Sequence, residues 1–434
     1  MADATIFAPA SGHGRAAVCV VRISGPESAA ILVGLIGDLP PPRRLSLRTL
    51  RDAAGDVLDR AMVCWMPGSA TFTGEDMAEL HLHGGLAVRA GVLAALAAIP
   101  GCRPAEPGAF TRRAVYNGRM DLTEAEAAAD LIEAETDGQR RQALRQLDGA
   151  LGRQVADWRA RTIDLLASTE AALDFSDEGD VDDVGLDAAL FGQARAVRDA
   201  IHRALADGRR GERLREGFVV VLAGAPNAGK STLLNALARR DVAIVSEVPG
   251  TTRDAIEVRC DLGGLPVLLV DTAGLRETAD AVEAEGIRRT RGRIETADLV
   301  VFLAAADDDA AGFEPAPPAA LRVWTKGDLG IGDRTGLAVS ARTGEGVSDL
   351  LDAIQQRAAA ALLGGETLIT RERHREALTR CRDHLDRLLA AAALPPELVA
   401  EDLRLAVKAL GEVGGHVGVE DILDRLFAGF CIGK

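Results

Sequence analysis

The sequence predicts a multidomain chain of mixed α+β and α/β class: a small α+β N-terminal domain, then a helical domain interrupted by an α/β domain. Three observations carry that expectation. Residues 1–118 alternate apolar strand-like runs with one helix-like stretch, and residues 119–217 and 368–434 carry apolar stripes at helical spacing. Residues 218–367 alternate strands and helices around a glycine-rich loop. At 434 residues there is room for two or three domains, each able to bury a core.

In the first segment Ala17–Ile23, Ala61–Trp65 and Glu79–His83 read as strands and 86–99 as a helix, punctuated by Pro and Gly. Alternation would put His81 and His83 on one strand face like a metal pair. No third ligand is apparent, and packing is the plainer reading. In the second segment Leu151, Val155, Trp158, Thr162, Leu165, Thr169 and Ala172 recur every three or four residues, giving one apolar helix face. Glu170–Asp183 then holds seven carboxylates and no Lys or Arg, the composition of a solvated loop between helices. Past residue 368, Leu403, Val407, Leu410, Val413 and Val417 form another stripe. Two helical segments that each need a partner are most economically one domain, with the α/β domain inserted between them.

The inserted segment carries the chemistry. Gly224-Ala-Pro-Asn-Ala-Gly-Lys-Ser231 follows the apolar run Phe218–Ala223 and precedes the helix-like Ser231–Ala238, the strand–loop–helix context of a phosphate-binding P-loop. Gly224 and Gly229 let the backbone wrap a phosphate at the positive end of the helix, which makes Asn227, Ala228, Gly229, Lys230, Ser231 and Thr232 nucleotide contacts. Lys230 suits the β- and γ-phosphates, and the Ser231 hydroxyl suits Mg²⁺. Pro249-Gly-Thr-Thr-Arg-Asp254 could close over the γ-phosphate, with Thr251 or Thr252 completing the Mg²⁺ shell. The apolar Val267–Val270 runs into Asp271-Thr272-Ala273-Gly274, where Asp271 suits the Walker-B carboxylate. Arg322–Trp324 leads into Thr325-Lys326-Gly327-Asp328, whose Asp328 can accept two hydrogen bonds from guanine that adenine cannot offer. Ser340-Ala341-Arg342 could brace the base from the other side. Five signals in this order predict a Ras-like P-loop GTPase domain.

One expected group is missing. Ras-type enzymes orient the attacking water with a glutamine just after Asp-x-x-Gly, and here that place is Leu275. Asn227 offers a neutral oxygen near the phosphates that suits a monovalent cation. Glu283 is a downstream carboxylate which spacing alone reads as a solvated helix residue.

Charge narrows the partners. A net charge of −15 opposes direct approach to a polyphosphate, so an RNA substrate needs a local basic patch or a basic partner. Six scattered cysteines without a Cys-x-x-Cys pair argue for reduced thiols and against a zinc site. No apolar run reaches the roughly 18 residues of a membrane span, and the N-terminus lacks a signal-peptide pattern, so a cytoplasmic protein is expected.

Beyond the nucleotide motifs, Ala16–Gly25, Thr73–Gly85, Phe110–Leu122 and the ending Phe430-Cys-Ile-Gly-Lys434 resemble the tRNA uridine 5-carboxymethylaminomethyl modification GTPases, the MnmE/TrmE family. The resemblance spans the whole chain, and a Cys-x-Gly-Lys ending is the family's best-known mark. It implies an N-terminal domain that dimerises and binds 5-formyltetrahydrofolate or a related one-carbon folate, at positions matching Arg22, Glu79, Arg119 and Lys434. It implies K⁺ in place of an arginine finger, at positions matching Asn227, Thr251 and the carbonyls of Ser246 and Val248, and Mg²⁺ at Ser231 and Thr252. Glu283 then matches the water-orienting carboxylate, and Cys431 a candidate reactive thiol. The implied assembly is a homodimer working with a FAD-containing MnmG/GidA-type protein on the wobble uridine of tRNA, the tRNA held mainly through that partner.

Two positions depart from the family's commonest pattern. Thr325 stands where Asn is more usual, and Arg119 replaces Lys, which keeps the charge but alters its geometry. The rival reading is a GTP-switched ribosome or RNA assembly factor without folate chemistry, which predicts a basic patch and no folate affinity.

Overall fold

Strand alternation in the N-terminal segment builds a six-stranded sheet in the order β3-β4-β5-β2-β1-β6. Its strands are β1 (Thr5–Pro9), β2 (Val18–Ser24), β3 (Ser46–Arg51), β4 (Val57–Met66), β5 (Met77–His83) and β6 (Cys102–Pro104). This is a computed structural model, and it describes residues 4–12, 14–174, 188–207, 209–240, 242–244, 257–271, 296–308, 316–317, 319–332, 334–365, 367–390, 395–416 and 433. It divides into two compact units, Met1–Ala129 with Leu410–Lys434, and Asp130–Ala409.

In the first unit all strand pairs are antiparallel except β1 with β6. One face (Val21, Ile23, Val63, Leu80, Leu82) is buried in a core shared with residues of the helices α1 (Ser28–Ile36) and α2 (Leu86–Ala97). Each such aliphatic contributes roughly 1.5–3 kcal/mol when fully buried. Period-two alternation therefore sends Arg22, Glu79 and His81 to the opposite face. The register puts Glu79 between Arg22 on β2 and Cys64 on β4. Two further helices follow, α3 (Ala109–Tyr116) and α4 (Leu122–Glu133).

The second unit carries the helices α5 (Asp137–Leu147), α6 (Ala150–Asp174), α7 (Ala188–Leu205) and the short α8 (Arg210–Glu216). The chain then runs through β7 (Phe218–Gly224), α9 (Lys230–Ala238), β8 (Glu257–Leu262), β9 (Leu265–Asp271), β10 (Leu299–Ala305), β11 (Leu321–Thr325), β12 (Leu337–Ala338) and α10 (Val347–Leu362). It returns to helix in α11 (Glu372–Ala390) and α12 (Pro396–Gly414). The expected stripe on α6 is buried at Leu151, Val155, Trp158, Thr162, Leu165 and Thr169, whereas Ala172 is exposed. On α12, Leu403, Leu410 and Val413 are buried and Val407 is half-buried, while Val417 lies outside the described residues. The acidic stretch from Glu170 is not loop from its start. The helix continues to Asp174, and Glu170 pairs with Arg404 at 2.9 Å. Helix α7 packs on α6 and on α11, where Arg198 meets Asp386 at 2.8 Å, so helices made before and after the inserted domain share one layer.

The inserted sheet has the order β12-β11-β10-β7-β9-β8, parallel except for the antiparallel β8–β9 hairpin. β7 is nearly continuously apolar and buried, as a central parallel strand covered on both faces must be. It lies between β9 and β10, so crossovers leave it in opposite directions and a crevice opens at the carboxyl ends of the strands. No helix among the described residues is long and apolar enough to cross a membrane.

Candidate functional site

The loop that closes β7 is built by backbone conformation. Gly224 has φ +145, and a Cβ there would stand 2.3 Å from the carbonyl oxygen of Leu303 on β10. Only glycine lets the two strands run that close. Asn227 and Gly229 follow with φ of 65 and 82, which turns the chain into the N-terminus of α9. The ammonium of Lys230 donates to the carbonyls of Gly224 and Ala225 at 3.0 and 2.8 Å, so it folds back along the loop it begins after.

A pair of hard oxygen donors lies beside it. Ser231 Oγ donates to Asp271 Oδ2 at 2.5 Å, and Asp271 is fully buried at the end of β9. A hydroxyl and a carboxylate at this separation, next to a phosphate-facing helix end, are the donor set that Mg²⁺ takes. The residues present fit that ion.

Thr325, which stands where Asn is more usual, hydrogen-bonds to the P-loop. Its hydroxyl lies 2.7 Å from the carbonyl of Ala228 and 3.3 Å from that of Ala304, and its single proton goes to the nearer one. The P-loop is thus tied to the end of β11 by a threonine. Beyond it a cavity of about 260 Å³ is lined by Gly229, Leu233, Lys326, Asp328, Leu329, Ser340 and Arg342. Asp328 Oδ1 accepts from Ser340 Oγ at 2.7 Å, and Oδ2 accepts from the Arg342 guanidinium. The Ser340 hydrogen bond first, and Arg342 with it, hold the Asp328 carboxyl below the usual carboxylate range despite the opposing cost of desolvation. Lys326, at φ 56, is held by Asp307 at 2.7 Å, a partner that no motif announced.

The structure therefore brings together Asn227, Ala228, Gly229, Lys230, Ser231, Thr232, Asp271, Thr325, Lys326, Asp328, Ser340, Ala341 and Arg342 around one crevice. Ser246, Val248, Thr251, Thr252, Thr272, Ala273, Gly274, Glu283, Cys431 and Lys434 lie outside the described residues.

On the open face of the first sheet, Arg22 donates through Nε and Nη2 to Glu79 Oε1 at 3.3 and 3.2 Å, while His81 Nε2 lies 3.4 Å from Oε2. The Arg22 guanidinium also sits 5.3 Å from the Phe72 ring centre and 5.9 Å from that of Phe110. Arg119 donates to the carbonyl of Thr71, beside Phe72. His83 pairs with Asp59 at 2.8 Å, and no group of three metal-ligating side chains occurs among the described residues. Sequence reasoning missed a second network here. Arg113 reaches Glu75 at 2.7 Å and the carbonyl of Ala4, and Glu75 accepts from Ser24, which meets Thr73 at 2.7 Å. Gly433 lies against Pro9 at the end of β1, where a Cβ would stand 1.9 Å from the carbonyl oxygen.

Fold and crevice define the class: a P-loop guanine-nucleotide domain inserted between helical segments. Comparison with known proteins sharpens it. The chain matches the family descriptions "GTP-binding protein TrmE N-terminus" over residues 5–119 and "MnmE helical domain" over residues 122–431. It is 72% identical to the tRNA modification GTPase MnmE of Methylorubrum populi, covering 100% of this chain and 98% of that one. It is 69% identical to the MnmE of Methylobacterium radiotolerans, with 99% of both covered. The crystal structure of an Aquifex aeolicus Era variant bound to GDP and AlF4- matches at 23% identity and TM-score 0.26, covering 38% of this chain and 66% of that one. That likeness is too slight to argue from. The chain belongs to the MnmE family of tRNA modification GTPases, and GTP hydrolysis in tRNA modification is the activity that membership carries.

Proposed function

We propose that this chain is a K⁺-stimulated, Mg²⁺-dependent GTP hydrolase that works as a cytoplasmic homodimer with a FAD-containing MnmG/GidA-type protein. Together they install a 5-carboxymethylaminomethyl-type group on the wobble uridine of tRNA. The observation that carries the nucleotide half is Asp328, kept ionised by Ser340 and Arg342 at the mouth of a cavity that also reaches the P-loop glycine Gly229. Two accepting oxygens there match the guanine edge and repel adenine. Lys230 meets the phosphates, and Ser231 with Asp271 and Thr252 would hold Mg²⁺, which neutralises charge on the β- and γ-phosphates when bound. Asn227, Thr251, Ser246 and Val248 would hold K⁺, and Glu283 would orient water where Leu275 cannot.

The proposed limits are 1–118 for a folate-binding and dimerisation domain, 119–217 and 368–434 for the helical domain, and 218–367 for the GTPase domain. The folate reading is supported by a part-buried Arg22–Glu79 pair flanked by Phe72 and Phe110, a setting that suits a flat heterocycle with N–H donors. Lys434 would meet the folate's carboxylates, and Cys431 would sit beside it. Dimerisation is supported by exposed Leu45, Leu47 and Met62 at the sheet's β3–β4 edge.

The test pairs two measurements. GTP turnover in KCl should exceed turnover in NaCl at equal ionic strength, and Asn227→Ala should abolish the difference. Mass spectrometry of tRNA nucleosides from a deletion strain should show loss of the modified wobble uridine. Equal rates in the two salts sink the potassium mechanism, and unchanged nucleosides sink the tRNA role.

A further inference from the structure

Three glutamines on one face of α5 hold the roots of the inserted domain. Gln139 Nε2 donates to the carbonyl of Arg215 at 2.9 Å, Gln142 Nε2 to that of Gly211 at 3.0 Å, and Gln146 Nε2 to that of Leu368 at 2.8 Å. All three side chains are buried, and their acceptors lie on the segments that enter and leave the domain. Those segments cross at one point, where a Cβ on Gly211 would stand 2.1 Å from the carbonyl of Ile369. Side-chain amides on both strands of the root make a fixed pivot.

The same helix touches the domain once more, one residue before Gln139, at the β8–β9 hairpin. The N–H of Gly138, in the first turn of α5, donates to the carbonyl of Gly264 at the tip of the β8–β9 hairpin, at 2.9 Å. Beside it Arg259 of β8 reaches Glu135 at 3.2 Å, with Arg259 half-exposed. A Cβ on Gly138 would stand 2.7 Å from the Gly264 oxygen, so the approach depends on glycine. This second contact is one backbone hydrogen bond and one solvated ion pair. It is the weaker of the two.

The hairpin is also the piece of the domain best placed to move with the nucleotide. β8 begins directly after segment 245–256, which carries Thr251 and Thr252, and β9 ends at the buried Asp271 that faces Ser231. A displacement of Asp271 along the axis of β9 is carried to Gly264 by a strand that cannot stretch.

We propose that the Gly138–Gly264 contact is a nucleotide-responsive latch, which opens and closes about the glutamine pivot as GTP is bound and hydrolysed. This rests on the reading of the chain as a GTPase. The latch is a two-state element biased at one end by the phosphates and at the other by the helices.

Hydrogen exchange of the full chain tests it directly, with GDP alone and with GDP plus aluminium fluoride. The Gly138 amide should change its exchange rate at least ten-fold between the two states, while the amide of Arg213, which bonds to Arg209 at the N-cap of α8, stays constant. Equal exchange at Gly138 in both states overturns the latch. A fluorescent-nucleotide titration run alongside shows whether binding itself has failed, which would instead count against the GTPase reading. Gly138→Ala gives the second arm. Alanine is the better helix former, so its effect reads the steric contact and not helix propensity. Nucleotide affinity and basal turnover should stay within two-fold while wobble-uridine modification in cells falls at least ten-fold. Full modification by Gly138→Ala also overturns the latch.

Discussion

The two sheets of this chain make their sites by opposite means. In the parallel sheet one end of the crevice is shaped by backbone: β7 ends in a loop whose left-handed residues, Asn227 and Gly229, turn the chain into α9. In the antiparallel sheet the cluster proposed to take the folate is built from side chains, with Arg22 and Glu79 set opposite each other by register across β2 and β5. A backbone-built loop such as Gly224–Ser231 forces its residues to be consecutive. A side-chain site scatters them, here by 57 positions. The first kind leaves a motif, and the second leaves only strands.

Among the side chains that line the crevice of the parallel sheet, Asp328 is the one proposed to read the base. Asp328→Asn turns an acceptor toward the guanine amine into a donor, and GTP affinity should fall by about 10³-fold or more while xanthosine triphosphate gains, within the roughly 10⁴–10⁵ span of hydrogen-bonded discrimination. Competition binding with both nucleotides measures it, and unchanged GTP affinity places guanine recognition elsewhere.

In the antiparallel site, Glu79→Gln removes the charge that Arg22 and His81 share. A charge-assisted hydrogen bond is worth about 1.5–3 kcal/mol, so formyl-tetrahydrofolate affinity should drop roughly 10- to 100-fold by calorimetry, with GTP turnover unaffected. A turnover change of similar size would show that the two sites do not act separately.

Thr325→Val deletes the tie to Ala228 and leaves that carbonyl without the hydroxyl. The expected loss is about 1 kcal/mol, or roughly five-fold in nucleotide affinity, and Thr325→Asn should keep the parent value. Equal affinity for all three would mean the tie is idle.

The smallest effect is an expected constancy with pH. Because the Asp328 carboxyl is held below its ordinary range, the group stays charged as pH falls, and its contribution is lost only on passing through the lowered value. The preference of the parent for GDP over IDP, whose phosphates titrate alike near pH 6, should therefore be flat from about pH 7.5 to about pH 5, since even an unperturbed Asp titrates near 3.9. A decline across that window would place another titrating group at the base.

What was legible in the sequence follows the same division. Strand, loop and helix around Gly224–Ser231 fall where the apolar runs put them, and the strands at Ala17–Ile23, Ala61–Trp65 and Glu79–His83 lie within β2, β4 and β5 to within one residue at their starts or ends. The Arg113–Glu75–Ser24 network was invisible, because three separate elements must pair before those residues meet. The glutamine pivot was invisible for another reason: its acceptors are main-chain carbonyls, which every residue has. A signal for α5 did exist in Thr136-x-x-Gln139, a capping box that the structure forms in full. At Glu170–Asp174 the loop expectation misled, because the solvated face of a helix carries carboxylates as readily as a loop does.

The packing of α7 on α11 also sets an order of assembly on the ribosome. Residues 206–371 must be made between the two helices, which takes on the order of ten to thirty seconds at about 5–20 residues per second. During that interval α7, which buries Ala194, Val197 and Ile201 in the finished fold, lacks α11, one of the two helices it packs on. The nucleotide-binding sheet, by contrast, is complete with α10 at Leu362 and can fold at once. Chains ending at Arg371 and released from the ribosome should bind GTP while α7 is still cut by protease, and the first ligand of the newborn chain would be its nucleotide.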